Sequence, residues 1–250
     1  MKSVELFVAL GLATAVSLTG NTVDAVDAGE YSLAIAERDH TNTSIMAQGG
    51  EEGGEGETEL SPGEQANADF QDKMSEAELL SELQKGGYVI YFRHVQTEKD
   101  YADQVTANVD DCSTQRVLSE DGLQQALAIG DAFATAEIPV GKVTTSEYCR
   151  AWTTAALAFG DYEKDPALNF LPFEDYTDEQ VEQMKANVTP LLTAVPESGT
   201  NDIIVGHDDI FESATGIYPD PQGMAYILKP DGDGGFEVMA NILPEEWAEL

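Results

Sequence analysis

YVIYFRHVQT, residues 88–97, is the stretch that decides how this chain folds. It opens with five apolar or aromatic residues in succession, Tyr88, Val89, Ile90, Tyr91 and Phe92. A β-branched and aromatic run of that length fits a strand buried on both faces. The run then breaks into Arg93 and His94. Open α/β sheets present their ligand sites at the carboxyl edge of the strands, where a guanidinium beside an imidazole would form an anion site holding a nucleophile or base. The alternative on this stretch alone is a strand end whose charges simply reach solvent.

The flanking segments supply the helices such a strand needs. Ser75 with Glu78 forms a capping box, Leu79, Leu80 and Leu83 follow, and Gly86-Gly87 stops the helix before the strand. Ser119 opens a second helix whose Leu123, Ala126, Leu127, Ile129, Phe133 and Ala134 share one face. Residues 138–145 read as a short strand, residues 150–159 as an Ala-rich helix closed by Gly160. Thr177 and Gln180 cap a further helix carrying Val181, Met184 and Val188, which Pro190 is expected to limit. Ile203-Ile204-Val205 is a second buried strand, ending in Gly206-His207. Residues 224–229 and 236–240 make a hairpin across a DGDGG turn, which lacks the downstream ligands of a calcium loop and is read as a turn without metal. Strands alternating with helices imply an α/β three-layer sandwich, a mostly parallel central sheet flanked by helices, with a C-terminal hairpin.

Outside this domain, placed at residues 69–250, two segments read differently. Residues 1–28 resemble an export signal, with Lys2, a mostly apolar run over residues 6–18, and a small-x-small exit at Val26-Asp27-Ala28. The run is short for a membrane span, and Asn21 stands where a lipoprotein signal would need Cys. Residues 29–68, including GGEEGGEGETE, have no sustained period and read as a disordered acidic tether in which His40 is solvated.

The chain carries 47 acidic residues against 12 Lys plus Arg, a net charge of -35. Such a surface repels nucleic acid and anionic membranes, which excludes both as partners. It suits concentrated salt, where a Debye length of about 3 Å at 1 M lets like charges crowd, so the chain is expected to gain stability with NaCl as a halophile's protein does.

From residue 69 onward there are two histidines, His94 and His207, each following the end of a buried strand, and three arginines, Arg93, Arg116 and Arg150. A chain so poor in cations that keeps Arg beside His uses it there, since guanidinium offers planar paired donors to phosphate or carboxylate oxygens. Arg150, in SEYCRAWTTA, opens a helix whose free N–H groups add to the same positive pocket. Two imidazoles and two guanidiniums around one anion suit phosphoryl transfer, in which neutral imidazole attacks phosphorus while cations hold the non-bridging oxygens.

In this order along the chain, Arg93-His94-x-Gln96-Thr97, Leu118-Ser119-Glu120-Asp121-Gly122 with Gln125-Ala126, Ser146-x-x-x-Arg150-x-x-x-Thr154-Ala155 and Gly206-His207 together resemble the histidine phosphatase superfamily, also called phosphoglycerate mutase-like. The resemblance spans about residues 88–229 and departs from the family at Val95, where glycine is usual and where a larger side chain is expected to narrow the phosphate pocket. It implies His94 as the nucleophile forming a phosphohistidine, with Arg93, Arg150 and His207 clamping the phosphoryl group, Thr97 beside them, and no cofactor. The general acid is then Glu174, between the Arg150 helix and the next, or Asp208 directly after His207, with Asp175 a third candidate. The short interval between Ala155 and Gly206 leaves little for the insertion that encloses sugar phosphates in the mutase branch. An open site hydrolysing a phosphomonoester, small or macromolecular, is the implied activity. A phosphate-binding module of the same fold without turnover and a structural cell-surface domain are the competing classes.

Cys112 and Cys149 are the only cysteines, and in an exported chain, periplasmic or extracellular, they are expected to pair. The bridge would fix the loop after the His94 motif against the Arg150 helix.

Overall fold

The computed structural model describes residues 60–98, 103, 107–171 and 176–250. The expected signal and most of the expected tether lie outside the described residues. Six strands form one sheet: β1 (Val89–Arg93), β2 (Val140–Thr145), β3 (Glu163–Lys164), β4 (Asn201–Gly206), β5 (Ala225–Pro230) and β6 (Phe236–Ile242), in the spatial order β3-β2-β4-β1-β5-β6. The first four in that order are mutually parallel, and β5 and β6 join antiparallel at the β1 edge. This is the expected mostly parallel sheet with a C-terminal hairpin.

Strand alternation builds the layers. Ile90 and Phe92 of β1, with Ile203 and Val205 of β4, face a core closed by α2 (Glu76–Lys85), α3 (Glu120–Thr135) and α4 (Cys149–Phe159) through Leu83, Ile129, Phe133, Ala151 and Ala155. Val89 and Tyr91, with Ile204, face the opposite core, closed by α5 (Asp178–Leu192) and α6 (Asp208–Thr215) through Met184, Val188, Leu192, Ile210 and Phe211. Every residue of β1 is buried, which is why that strand has no polar alternation in sequence.

Two expectations are corrected. Pro190 does not stop α5, which runs to Leu192 with Pro190 inside it. Proline removes one backbone donor three residues from the end, and the fully buried Val188 and Leu192 hold the last turn against the core. The tether reading also extends too far, because Pro62–Ala68 is a helix, α1, nucleated by a Ser61–Glu64 capping box with Pro at its first turn. The Asp231 turn is as expected: its carboxylate accepts the N–H groups of Asp233 and Gly235, both at 2.8 Å.

Candidate active site

Register brings the chemistry together. In the parallel β1–β4 pair Arg93 lies opposite Gly206, and in the β2–β4 pair Thr145 lies opposite Val205. The residues that leave these strands, His94, Ser146 and His207, therefore emerge side by side at one carboxyl edge. The two imidazole centroids are 5.5 Å apart. Gly206 is required there, since a Cβ would sit 2.2 Å from the Tyr91 hydroxyl. That hydroxyl crosses beneath, donating to His207 O at 2.7 Å and accepting from His207 N at 3.0 Å.

Neighbours fix the tautomer of each histidine. His94 Nδ1 is 2.9 Å from Val95 O, and a carbonyl only accepts, so Nδ1 carries the proton. Arg150 Nε–H donates to His94 Nε2 at 3.1 Å, so Nε2 presents a lone pair. His94 is 1% exposed. Its pKa lies well below the ordinary histidine value, through burial first and the Arg150 and His207 charges next, so the ring is neutral and nucleophilic.

The same logic runs through Ser146. Asn169 Nδ2 donates to Glu147 at 2.7 Å and Asn169 Oδ1 accepts from Glu147 N at 3.0 Å, which orients the amide. Ser146 spends its hydroxyl proton on that Oδ1 at 2.8 Å. His207 Nε2, 2.9 Å from Ser146 Oγ, must then be the donor. This leaves His207 Nδ1 buried and without a partner. Burial and the three arginines push the pKa of His207 well down.

Arg150, on the first turn of α4, is 4% exposed. It lies over Tyr148 and Phe170, 5.1 and 5.2 Å from their ring centroids, and pairs with Asp103 at 3.0 Å. Thr154, one turn on, uses its hydroxyl to accept Val95 N–H at 3.3 Å while donating to Arg150 O at 2.7 Å, which ties the Arg150 helix to the His94 turn. Arg93 pairs with Asp208 at 2.5 Å and Asp220 at 2.8 Å and donates to Pro219 O at 2.8 Å, while its Nε has no partner. The disulfide Cys112–Cys149 is formed, and Gln115, next to its 3-10 turn, accepts Cys149 N–H at 2.8 Å.

Arg150 thus bonds His94, whose ring lies beside that of His207, and Arg93 ends the strand from which His94 leaves. Thr97 lines an adjoining cleft of about 410 Å³ with Arg93, Gln96, Arg116, Gln125 and Gln222, and its N–H and hydroxyl both bond Gln222 Oε1, at 2.9 and 3.3 Å. Asp208 accepts from Tyr218 Oη at 2.8 Å as well as pairing with Arg93. Glu174 and Asp175 lie outside the described residues. Val95 is fully buried in the apolar core with Ile90 and Phe92, so the expected narrowing does not occur: β1 ends at Arg93, and the turn after it breaks the strand alternation and sends the Val95 side chain into that core. Ser146, Asp103 and Tyr218 were not singled out by sequence. Ser146 stands four residues before Arg150 in the matched motif, and that position was its only signal. Arg116 lines the cleft with an unpartnered buried Nε, a place that no motif in the sequence indicates.

This arrangement puts a neutral imidazole bonded to one buried guanidinium, a second imidazole and a second buried guanidinium at one edge of a parallel sheet. Residues 89–211 match the model of the histidine phosphatase superfamily, branch 1, and over that segment the chain is similar to the superfamily.

Several solved structures are similar to it. The protein histidine phosphatase SixA complexed with tungstate is 14% identical with a TM-score of 0.46, the match covering 64% of this chain and 98% of that one. The alpha-ribazole phosphatase from Shigella flexneri is 17% identical with a TM-score of 0.46, covering 63% and 96%. Bacillus stearothermophilus YhfR is 19% identical with a TM-score of 0.41, covering 60% and 94%. No curated protein matches the chain.

Proposed function

We propose that the protein is a phosphatase that hydrolyses phosphomonoesters through a phosphohistidine on His94. The observation that carries this reading is the tautomer of His94: a buried neutral ring whose Nε2 lone pair points at the guanidinium that would hold a phosphoryl oxygen. On binding, the phosphoryl oxygens take over the Arg150 Nε–H, the free Arg93 Nε–H and the Arg116 Nε–H. Their negative charge favours a second proton on His207, whose vacant Nδ1 then donates to the same group. His94 Nε2 attacks phosphorus as the P–O bond to the leaving group breaks, and an acid protonates the leaving oxygen. Water next attacks the phosphohistidine, gives a proton to that carboxylate, and phosphate leaves with the imidazole restored.

Asp208 is committed to Arg93 and Tyr218, so the acid in this proposal is Glu174. The cleft beyond Thr97 is lined mainly by amides and charged groups with Pro221 and Pro244, which favours a polar leaving group. The disulfide is compatible with an oxidising compartment outside the cytoplasm, and no helix among the described residues is long and apolar enough to cross a membrane.

The test is release of phosphate from an aryl phosphate, together with an acid-labile phosphoryl group mapped to His94 after rapid quenching. The expected result is turnover in the wild type that is lost in His94→Ala and strongly reduced in Glu174→Gln. Phosphate binding without turnover or label would favour the binding module instead.

A further inference from the structure

Arg93 is one of the two buried guanidiniums of the site, and three consecutive residues, 218–220, hold or surround it. Pro219 O and Asp220 Oδ1 each accept from its Nη1 at 2.8 Å. The Tyr218 ring covers the guanidinium at 5.2 Å, and its hydroxyl steadies the partner carboxylate of Asp208. These contacts occupy Nη1 and Nη2 and leave Nε as the free donor. Where residues 218–220 sit therefore decides where that donor points.

The segment lies between the end of α6 and the start of β5, outside any helix or strand. Its own backbone groups reach α1. Tyr218 N–H donates to Gly63 O at 3.0 Å, and Asn67 Nδ2 donates to Asp220 O at 2.9 Å. The helix is seated in turn by the domain: Tyr226 Oη donates to Asn67 Oδ1, and Phe70 just beyond meets the Tyr226 ring edge-on at 5.4 Å. Gly63 packs closely against this segment: an added Cβ would stand 3.1 Å from Tyr218 Cβ and would push the Glu212 carboxylate aside from 1.9 Å.

We infer that α1, which precedes the segment matching the superfamily, is part of the phosphate site: Asn67 and the Gly63 carbonyl are positioning groups that set Arg93 through residues 218–220. The inference rests on the proposed phosphoryl clamp and adds a device to it. An anion-binding guanidinium must be placed within a fraction of an ångström, and a displacement of about 1 Å in such a group costs up to about a hundredfold. One hydrogen bond at the back of a surface loop is enough to cause a part of that.

The experiment measures inhibition of aryl phosphate hydrolysis by inorganic phosphate, and calorimetric phosphate binding, in the full chain. Asn67→Ala removes the bond to Asp220, whereas Asn67→Asp keeps the acceptor for Tyr226 but turns a carboxylate toward the Asp220 carbonyl. Both are expected to weaken phosphate by about tenfold, with Gln65→Ala, on the exposed side of the same helix, unchanged. With Arg93→Ala already present, the Asn67 changes are expected to cost nothing further. Unaltered phosphate affinity in both Asn67 variants, or an equal loss in the Arg93→Ala background, overturns the inference while leaving the phosphatase reading intact. If the wild type neither turns over the ester nor binds phosphate, the phosphatase reading fails and this inference goes with it.

Discussion

Two buried neutral histidines make a quantitative demand on stability. His94 and His207 are each 1% exposed, and both have pKa values held well below the ordinary one, by burial first and the neighbouring arginines next. In the unfolded chain each would titrate near about 6.5. The folded pKa is depressed, so below about pH 6.5 the unfolded state binds the extra protons and stability falls as pH falls. Each histidine should therefore cost about 2 kcal/mol between about pH 7 and pH 5, approaching about 1.4 kcal/mol per pH unit at the acid end. Asp209 works in the opposite sense: burial and then Asp208 raise its pKa to about 6, so its contribution is present at low pH and is lost as pH rises through about 6. Differences between variants remove this offset. His94→Asn can still donate to Val95 O, and His207→Gln can still donate to Ser146. Urea unfolding of wild type and both variants at intervals between about pH 7 and pH 5, without phosphate, should give a shallower pH dependence by about one proton in each variant. Parallel curves would refute the neutral-histidine site, because they would mean that the rings titrate when folded as they do when unfolded.

Two further outcomes follow from the same contacts. Arg150→Gln removes the donor to His94 Nε2 and the pair with Asp103, and should lower kcat/KM for an aryl phosphate by about 10²- to 10³-fold while moving the acid limb of the pH–rate profile upward, as His94 loses the charge that depresses it most. Replacing both cysteines with serine opens a bridge between residues separated by 37; on the loop-entropy account this costs about 4 kcal/mol, readable as a lowered urea midpoint with a steeper slope, because the unfolded chain freed of the cross-link exposes more surface.

The parts of the fold that sequence revealed are those dictated by local chemistry. The uninterrupted run of β1 announces a strand covered on both faces, and the Ser75 and Thr177 boxes announce helix starts because the signal and the structure are the same hydrogen bonds. His94 and His207 are legible because each follows the end of a buried strand, and Arg150 because it opens an Ala-rich helix. What escaped depends on register. Ser146 meets His207 only because β2 and β4 align, and Tyr218 meets Asp208 only because the α6–β5 connection folds back over β1. Helix α1 carries a local signal of its own in Ser61-Pro62-Gly63-Glu64, but most of what holds seven residues in a helix is tertiary, here Tyr218, Asp220 and Tyr226, and the adjacent Gly/Glu run disguises it. Val95 shows the converse: a departure from the signature that looks like an obstruction in sequence is absorbed by the core because the chain leaves its strand alternation after Arg93 and turns that side chain in beside Ile90 and Phe92.

A phosphatase site inside a chain of net charge -35 must attract at short range what it repels at long range. All three arginines beyond residue 69 lie in or beside the site, and Arg93 and Arg150 are already matched by Asp208, Asp220 and Asp103, so little positive field extends past the cleft. A phosphomonoester near pH 7 carries about two negative charges and approaches against the field of the whole surface. Screening shortens that field from about 30 Å at 0.01 M salt to about 8 Å at 0.15 M, while contacts in the buried site are screened far less. Raising NaCl over this range should therefore increase kcat/KM for a dianionic ester several-fold, and acidic surface repulsion should relax at the same time, raising the urea midpoint toward molar salt. Stopped-flow or initial-rate measurements across the series distinguish the alternatives by sign. A rate constant that falls with added salt would mean that attraction, not repulsion, governs the approach, and that the positive pocket reaches solvent in a way this arrangement of ion pairs does not allow.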